Sequence, residues 1–342
     1  MLSGWKEFLS ASGARINNDQ VQNFGDPAGE GNAALTANTL VDLSYLCIVR
    51  ISGADAGAFL HAQFTMDLAR LPDGHVRPGA WCNPKGQVIT TMIIARLAEV
   101  YYLVLPAEMK DEFITRLSKF VLRAQLTIQD CQDSLQCIGI NTREAGQADG
   151  TGIAARLSDS VQAIHDKDMV MLHVPVNWNR VIMAGPLASI EAAWTYSEQL
   201  YHRTGSQYWR LFDVIEGMPW IGPGTTQSFL PQYLNLDQIR GLSYTKGCYP
   251  GQEIIARLHH RGNVKQRLYI ICLDIDAAPV PGDRIYTQDK GQQVGTVINA
   301  ATHPVEGIYT LAVLNTDYGE IDQLSIEGKQ GRFKKISPPA YS

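Results

Sequence analysis

Apolar positions along the first 260 residues switch between the spacing of strands and the spacing of helices. Runs of β-branched and apolar residues predict strands, and apolar residues recurring every three or four positions predict helices. Strands are predicted over 45–51, 88–97, 100–105, 126–129, 135–140, 169–174 and 180–184. Helices are predicted over 55–64, over 108–121 and from Pro186 to about His202. Strands alternating with helices, some in hairpin-like pairs, indicate an α+β fold with units of the split βαβ kind.

The pattern differs at the two ends of the chain. Residues 10–38 are rich in Gly, Asn, Ala and Ser with little periodicity, which predicts a flexible, poorly packed N-terminal arm over 1–37. The central α+β region then covers 38–262 as two subdomains that need not be continuous, with a linker or exposed loop at 146–152. After residue 263 no helical pattern appears, and Pro- and Gly-containing turns separate short strands, which indicates a small β-barrel or sandwich over 263–342. These C-terminal strands are predicted at 268–275, 284–288, 294–300 and 308–314.

Composition narrows the class of protein. The chain has 342 residues, 45% hydrophobic and 18% charged, with a net charge of −5, so it is globular and has no general attraction for nucleic acid or membranes. No apolar run has the length of a membrane span, and the N-terminus lacks the apolar core of a signal peptide. The six cysteines include no CxxC pair, which fits reduced thiols in a cytoplasmic protein and predicts no metal site.

Residues 244–262, YTKGCYPGQEIIARLHHRG, form the most informative segment. Gly247 and Gly251 bracket Cys248, and Pro250 restricts the backbone further. A thiol held in such a loop near Lys246 can act as a thiolate nucleophile or a metal ligand. The alternative is that Cys248 is a small buried hydrophobe in a connecting turn, and composition alone favours this second interpretation.

The run Lys246-Gly247-Cys248-Tyr249-Pro250-Gly251-Gln252-Glu253 resembles the K-G-C-Y-x-G-Q-E signature of YgfZ-type folate-binding proteins. Three other segments resemble motifs of the same family, so the resemblance covers most of the chain. They are 51–65 with its I-x-G-x-D and L-x-x-Q-x-T residues, the turn 83–87, and 229–236 with its F-x-P-Q-x-x-N-L residues.

This resemblance implies a fold and a function. The fold is that of the related glycine cleavage aminomethyltransferases: two ferredoxin-like halves and a C-terminal β-barrel, three domains in a ring around a bound folate. The family is implicated in maintaining iron–sulfur enzymes and in modifying some tRNAs. The implied cofactor is therefore tetrahydrofolate or a derivative, and the implied partners are iron–sulfur enzymes or assembly factors. A contact with tRNA is also implied, although the net charge gives it no support.

The glycine cleavage enzymes carry an acidic pair shortly after the turn that here reads Asn83-Pro84-Lys85-Gly86-Gln87. The matching residues of this chain are Thr90 and Thr91. A hydroxyl cannot carry the negative charge that stabilises a developing iminium, and it is a poor base at neutral pH. We therefore expect no aminomethyltransferase activity, and we interpret the two threonines as β-branched residues of a strand.

The resemblance also places a folate site. Trp209 matches a folate-contacting tryptophan of the family, although a core position is the ordinary alternative for a tryptophan. The family's pterin-binding glutamate aligns with Ile215, and Glu216 follows one residue later, about 100° around a helix. A second family tryptophan corresponds to Leu46, whose aromatic neighbour Tyr45 is expected to face the other side of the strand. Leu46, Tyr45 and Glu216 are the further candidate contacts for folate.

Between Ile254 and Cys272 the chain has no acidic residue. Arg257, Arg261, Lys265 and Arg267 lie in this stretch and are candidates for a patch that binds the folate tail or RNA phosphates. A solvated segment between domains is the alternative, and we favour it slightly because no aromatic-interleaved RNA-binding motif accompanies the charges.

Three functions remain from the sequence. The first is a folate-dependent accessory protein for iron–sulfur enzymes, and through them for tRNA modification, with Cys248 as the functional thiol. The second is a folate-dependent methyl- or aminomethyltransferase, which Thr90 and Thr91 disfavour. The third is a non-catalytic adaptor stabilised by folate. The residues do not separate the first from the third, nor do they decide whether the chain catalyses a reaction.

Overall fold

The structure is a computed structural model that describes residues 1–143, 157–158, 160–289, 291–318 and 324–341. The predicted linker at 146–152 lies outside these residues. Within them, the helices are α1 (Ser3–Ala11), α2 (Pro27–Thr36), α3 (Ala56–Gln63), α4 (Lys110–Ser118), α5 (Leu187–Ser197), α6 (Ser206–Ile215) and α7 (Gln252–Arg261). None of the described helices is long and apolar enough to cross a membrane.

Strands make up the larger part of the fold. In chain order they are β1 (Arg15–Asn17), β2 (Gln20–Asn23), β3 (Thr39–Asp42), β4 (Leu46–Ser52), β5 (His75–Cys82), β6 (Val88–Leu97), β7 (Val100–Pro106), β8 (Thr127–Asp130), β9 (Gln136–Asn141), β10 (Ala163–Asp166), β11 (Met169–Val174), β12 (Asn177–Gly185), β13 (His202–Thr204), β14 (Gln266–Ile275), β15 (Arg284–Thr287), β16 (Gln293–His303), β17 (Gly307–Asn315), β18 (Leu324–Ile326) and β19 (Gly331–Ser337). Every predicted strand is confirmed, and the bounds agree to within three residues.

Two of the three predicted helices, α3 and α4, are confirmed, but the third is shorter than predicted. It ends at Ser197, and His202 lies in β13, which pairs in parallel with β3. The prediction that this helix reaches His202 is wrong. The backbone of residues 202–204 forms hydrogen bonds with β3, which lies about 160 residues earlier in the chain. Pro186 precedes the first helical residue, where its missing N–H costs nothing.

The chain divides into two compact units. The first comprises Met1–Leu60, Leu68–Arg77 and Met92–Trp209, and the second comprises His61–Asp67, Pro78–Thr91 and Arg210–Ser342. The first unit holds a six-stranded sheet in the order β10-β11-β12-β9-β3-β13. A five-stranded sheet has the order β5-β6-β7-β4-β8, and its strands β5 and β6 pass from one unit to the other.

The N-terminal segment packs closely, so the prediction of a poorly packed arm is wrong. Trp5 and Leu9 on α1 are fully buried in the core of the first unit. The Trp5 ring meets the ring of Trp194 on α5 edge-on, with 5.5 Å between centroids, and its Nε1–H donates to Asp42 at 2.8 Å. Short helices of weak periodicity are stable when such tertiary contacts hold them.

The second unit contains the C-terminal sheet, in the order β18-β15-β16-β17-β14-β19. Its two edge strands, β18 and β19, contact each other, so the sheet is nearly closed and barrel-like around an aliphatic core. The predicted all-β character after residue 263 is thereby confirmed. The same compact unit begins at Arg210, upstream of the predicted barrel boundary, and the three-domain ring stays a prediction.

Candidate functional site

Cys248 lies in the second unit, in a loop that we call the cysteine loop, residues 244–251. Of the six cysteines, the other five are buried and Cys248 is exposed. Its neighbour Gly247 is also exposed, whereas Lys246 and Tyr249 on either side are buried. The interpretation of Cys248 as a small buried hydrophobe is therefore wrong: the loop buries its flanks and presents its thiol to solvent.

Lys246 anchors the loop from inside. Its ammonium donates hydrogen bonds to the backbone carbonyl oxygens of His61, of Phe64 at 2.5 Å and of Met66 at 3.1 Å. It also lies 4.8 Å from the centre of the Tyr249 ring, a cation–π contact. Burial lowers the pKa of Lys246 to about 8. The lysine of the signature thus serves as a buried tether whose charge is met by backbone dipoles.

The segment that receives Lys246 is itself fixed by Thr65, which is fully buried. The Thr65 hydroxyl donates to the carbonyl oxygen of Gly241 at 2.6 Å and accepts from the N–H of Ala80 at 3.0 Å. The Thr65 carbonyl accepts from the N–H of Ser243 at 2.9 Å. The threonine of the family's L-x-x-Q-x-T motif therefore ties its own segment to two others, at Ala80 and at 241–243, beside the cysteine loop.

The turn 83–87 meets the other end of the loop. Asn83 Oδ1 accepts from the N–H groups of Lys85 and Gln87 at 2.9 and 3.1 Å, which closes a turn that needs positive φ at Gly86. Gly251, also at positive φ, approaches this turn so closely that a Cβ on it would lie 2.7 Å from the Asn83 carbonyl oxygen. Both motifs require glycine because their backbones touch.

The motif at 229–236 supports the helix that follows the loop. Gln232 is fully buried, and its Nε2 donates to the carbonyl oxygen of Ile255 on α7 at 2.7 Å. Asn235 pairs with the backbone of Leu268 on β14 through both its amide nitrogen and its oxygen. Residues 61–66, the turn 83–87 and the motif at 229–236 therefore meet at the cysteine loop and at α7, and they hold the backbone on both sides of Cys248.

Two residues of this site were missed by the sequence reasoning. His61 Nδ1 lies 3.5 Å from Asp67 Oδ1, and its Nε2 lies 3.9 Å from where a Cβ on Gly247 would be. Burial, and then the charge of Lys246, lower the pKa of His61. A largely neutral imidazole therefore stands beside the cysteine loop. In the sequence, His61 is marked only as a polar residue at a variable position of the L-x-x-Q-x-T motif, six positions before Asp67.

The predicted basic patch is only partly present. Arg257 and Lys265 are exposed. Arg267 is instead committed to protein partners, since it contacts Asp237 at 2.7 Å and the carbonyl oxygen of Gln232 at 2.9 Å. The expectation that Arg267 belongs to an anion-binding patch is wrong for this reason, and the side chain of Arg261 lies outside the described part of the structure.

Thr90 and Thr91 lie in β6 and are buried, as the strand interpretation predicts. The Thr90 hydroxyl donates to the carbonyl oxygen of Ile221 at 3.1 Å. The Thr91 hydroxyl donates to the carbonyl oxygen of Pro219 at 2.7 Å and accepts from the N–H of Ile221 at 3.0 Å. Both hydroxyls are used to hold segment 219–221, so neither is free for acid–base chemistry.

The residues assigned to folate occupy different settings. Trp209 is fully buried in the first unit, with the guanidinium of Arg180 4.8 Å from its ring centre. Gly139 also lies against it, where a Cβ would be 2.4 Å from the ring. Trp209 therefore packs against protein, and its contact with folate stays a prediction.

Leu46 is buried, and Tyr45 is half-buried just before β4. Leu46 lines a cavity of about 60 Å³, whereas small-molecule pockets hold about 300 to 1,000 Å³. This cavity does not fit a pterin ring system. In the second unit, Glu216 is half-buried in the turn after α6, and Ile215 is exposed. The folate contacts of Leu46, Tyr45 and Glu216 also stay predictions.

No group of three or more His, Cys, Asp or Glu side chains is placed to hold a metal ion in the described part of the chain. The chemistry available at the site is therefore that of an exposed thiol on a rigid loop, flanked by a histidine and a buried lysine. Such a thiol can act as a nucleophile or can take part in disulfide or cluster chemistry with a partner.

The fold and site define the class of protein first. The structure is similar to that of the glycine cleavage system aminomethyltransferase T from Bartonella henselae, with a TM-score of 0.78 over 98% of this chain and 96% of that one, at 15% identity. Residues 18–147 match the GCVT N-terminal domain family. The chain therefore has the GcvT-like fold, with mixed α+β content and the barrel-like C-terminal sheet.

The particular relatives are named tRNA-modifying protein YgfZ. The chain is 25% identical to the protein of that name from Sodalis glossinidius over 307 residues, which is 89% of this chain and 93% of the relative. It is 27% identical to the one from Serratia proteamaculans over 308 residues, which is 89% of this chain and 92% of the relative. The resemblance to YgfZ-type proteins that the motif at 246–253 predicts is thereby confirmed.

Proposed function

We propose that this chain is a cytoplasmic folate-binding accessory protein that supports the assembly or repair of iron–sulfur enzymes and, through them, tRNA modification. The observation that carries the proposal is the exposure of Cys248 on a loop whose every flank is anchored by a motif residue. In this function Cys248 is the reacting or ligating group, and the surrounding motifs keep it in a fixed, accessible position.

The free-energy cost of burying Lys246 inside the loop supports a functional role for the Cys248 thiol. Burying a lysine ammonium is unfavourable unless hydrogen bonds compensate, and Lys246 needs three carbonyl oxygens to be accommodated. A connecting turn does not require such an arrangement. A rigid loop that exposes one sulfur is the arrangement expected of a group that must meet a partner in a defined geometry.

The names of the relatives indicate the cellular process, tRNA modification. Proteins of similar length, aligned over about nine-tenths of both chains, are named for tRNA modification. The GCVT N-terminal domain supports a folate-related role. Because the chain is net acidic and Arg267 is already paired, we place the link to tRNA through client enzymes and not through a broad RNA-binding surface.

Aminomethyl transfer is the weaker candidate. The positions of the acidic pair hold Thr90 and Thr91, whose hydroxyls are bonded to segment 219–221. Placing a carboxylate there would bury a charge and break these hydrogen bonds. This chain therefore has the fold of the aminomethyltransferases. It lacks the acidic pair to which the resemblance assigns their chemistry.

Folate binding is part of the proposal and has its own test. We expect tetrahydrofolate to bind with a dissociation constant in the micromolar range, which corresponds to a binding free energy of about −8 kcal/mol. Isothermal titration calorimetry measures this directly. Absence of binding at millimolar folate would refute the folate component while leaving the role of the thiol open to the next experiment.

The thiol is tested by complementation of a strain that lacks the homologous factor. Cys248→Ser is expected to fold and to bind folate like the wild type, but not to restore the activity of an iron–sulfur client or the level of the dependent tRNA modification. Cys272→Ser, the same change at a buried cysteine of the same unit, is the control and should complement if it melts normally. Full complementation by Cys248→Ser would favour the adaptor function.

A further inference from the structure

A cavity in the first unit, far along the chain from the cysteine loop, has the composition of an anion site. We call it the Arg50 cavity. It has a volume of about 280 Å³, close to the lower end of the range for small-molecule pockets, about 300 to 1,000 Å³. Its lining includes the polar side chains of Arg50, Tyr102, Gln129, Ser134, His165 and Asp168.

Strand register explains why these side chains converge. Arg50 on β4 is directly opposite Tyr102 on β7 and Gln129 on β8, so the three project from the same face of the five-stranded sheet. His165 on β10 is opposite Val170 on β11, which is opposite Ala184 on β12. The cavity therefore lies between a polar row of one sheet and a second row headed by His165.

The contacts inside the cavity confirm that the two rows face each other. The Tyr102 hydroxyl and His165 Nε2 are 3.4 Å apart, and their rings meet edge-on with 5.4 Å between centroids. Arg50 donates to the amide oxygen of Gln129 at 3.2 Å. These neutral partners orient the guanidinium and the imidazole without neutralising either of them.

The charge of Arg50 has no acidic partner in the described part of the chain, where Gln129 is the partner of its side chain. The carboxylate in the lining, Asp168, is exposed and accepts a hydrogen bond from the Ser189 hydroxyl at 2.6 Å. Partial desolvation of the imidazole ring, and then the charge of Arg50, lower the pKa of His165. One unneutralised charge, that of Arg50, thus faces the cavity beside an imidazole, and a bound anion would favour the charged forms of both groups.

We propose that the Arg50 cavity binds the oxyanion group, a phosphate or a carboxylate, of a small molecule. Arg50 supplies the fixed charge and a planar pair of donors, and this geometry suits both oxyanions. His165 and the hydroxyls of Tyr102 and Ser134 supply further donors. The apolar floor, made by Val170 and Ala184, accepts the remainder of a small ligand. This site is separate from the proposed thiol function and does not depend on it.

Calorimetric titration of the full-length protein at constant ionic strength tests the site, with inorganic phosphate in one arm and acetate in the other. We expect saturable binding of at least one anion, and the arm that binds identifies phosphate or carboxylate as the ligand group. Arg50→Gln should weaken binding about tenfold or more, because a charged hydrogen-bond partner is lost.

Two further variants serve as a second test and as a charge-matched control. His165→Gln, at an exposed position that should tolerate the change, is also expected to weaken binding. Arg123→Gln removes the same charge as Arg50→Gln from an exposed residue outside the cavity and should bind like the wild type. Absence of saturable binding in both arms would overturn the proposal, as would equal affinity of Arg50→Gln and the wild type.

Discussion

Gly86 and Gly251 are in direct backbone contact: a Cβ on Gly251 would lie 2.3 Å from the Cα of Gly86. Both residues have positive φ, 76° and 80° respectively. One belongs to the turn after β5, and the other is the last residue of the cysteine loop, directly before α7. Two motifs separated by about 160 residues thus depend on each other for their shape, and the position of Cys248 depends on both.

Gly251→Ala is expected to destabilise the protein through strain and through collision. Positive φ alone costs a non-glycine residue about 1 to 2 kcal/mol, and overpacking against backbone adds about 1 to 3 kcal/mol. Gly328→Ala is the matched control, because Gly328 also has positive φ but no atom lies within 4 Å of its added Cβ. Urea unfolding should show a clearly larger loss for Gly251→Ala, and equal losses would contradict the close approach.

Cys248 should be the fast-reacting thiol of the native protein. Because the other five cysteines are buried, an aromatic disulfide reagent is expected to modify about one thiol per chain before unfolding and the rest only afterwards. Cys248→Ser should abolish the fast phase and leave the melting temperature nearly unchanged. Rapid native modification of two or more thiols, or a fast phase that persists in the variant, would refute the exposure pattern.

Lys246 should make stability depend on pH in a defined window. Its pKa is about 8 in the folded protein against an ordinary value of 10.5, so between these values the unfolded chain binds more protons than the folded one. The free energy of unfolding contributed by this group therefore rises with pH, by at most about 1.4 kcal/mol per pH unit. The free energy of unfolding of the wild type minus that of Lys246→Met should increase from about pH 8 upwards, because groups that do not interact with Lys246 cancel in this difference.

The same pH series can refute the prediction for Lys246. If the difference between wild type and Lys246→Met stays flat or shrinks between about pH 8 and pH 10, the lysine is not held in the buried, weakly basic state that its burial implies.

Thr91→Val should cost about 2 kcal/mol, although the two side chains have nearly the same shape. The change removes the hydroxyl that bonds both the Pro219 carbonyl and the Ile221 N–H, and it leaves these buried groups unsatisfied. Thr36→Val is the control, because the Thr36 hydroxyl bonds the backbone of its own helix at an exposed site. We expect its effect to stay within about 0.5 kcal/mol. Similar costs for both variants would argue against a tie between β6 and segment 219–221.

The wild-type protein should not turn over the aminomethylated carrier protein of the glycine cleavage reaction. Thr90 and Thr91 supply no carboxylate, and their hydroxyls are already bonded to backbone. An assay beside an authentic aminomethyltransferase checks this expectation. Turnover at a comparable rate would show that the acid is supplied by another residue.

Much of the sheet structure could be predicted because strand signals are local. Runs such as 88–97 and 169–174 consist mainly of apolar and β-branched residues, and the structure shows strands with the same bounds. Elements without such a pattern were missed. The helix α2 is rich in Gly and Ala, and α1 is only nine residues long. Both are stable as helices because they pack against other parts of the first unit.

The sequence by itself determined which residues belong to the cysteine loop, since the run from Lys246 to Glu253 resembles one family signature. It also determined that the acidic pair is absent. It could not determine that Cys248 is exposed and Lys246 is buried, and composition favoured the reverse for the cysteine. Burial depends on what covers a residue, and here the cover comes from segments 61–66, 83–87 and 229–236. The Arg50 cavity was decided by tertiary structure for the same reason: its members carry no shared local pattern and meet only when the strands pair in register. The approach of His61 to Gly247 likewise joins residues far apart in the chain.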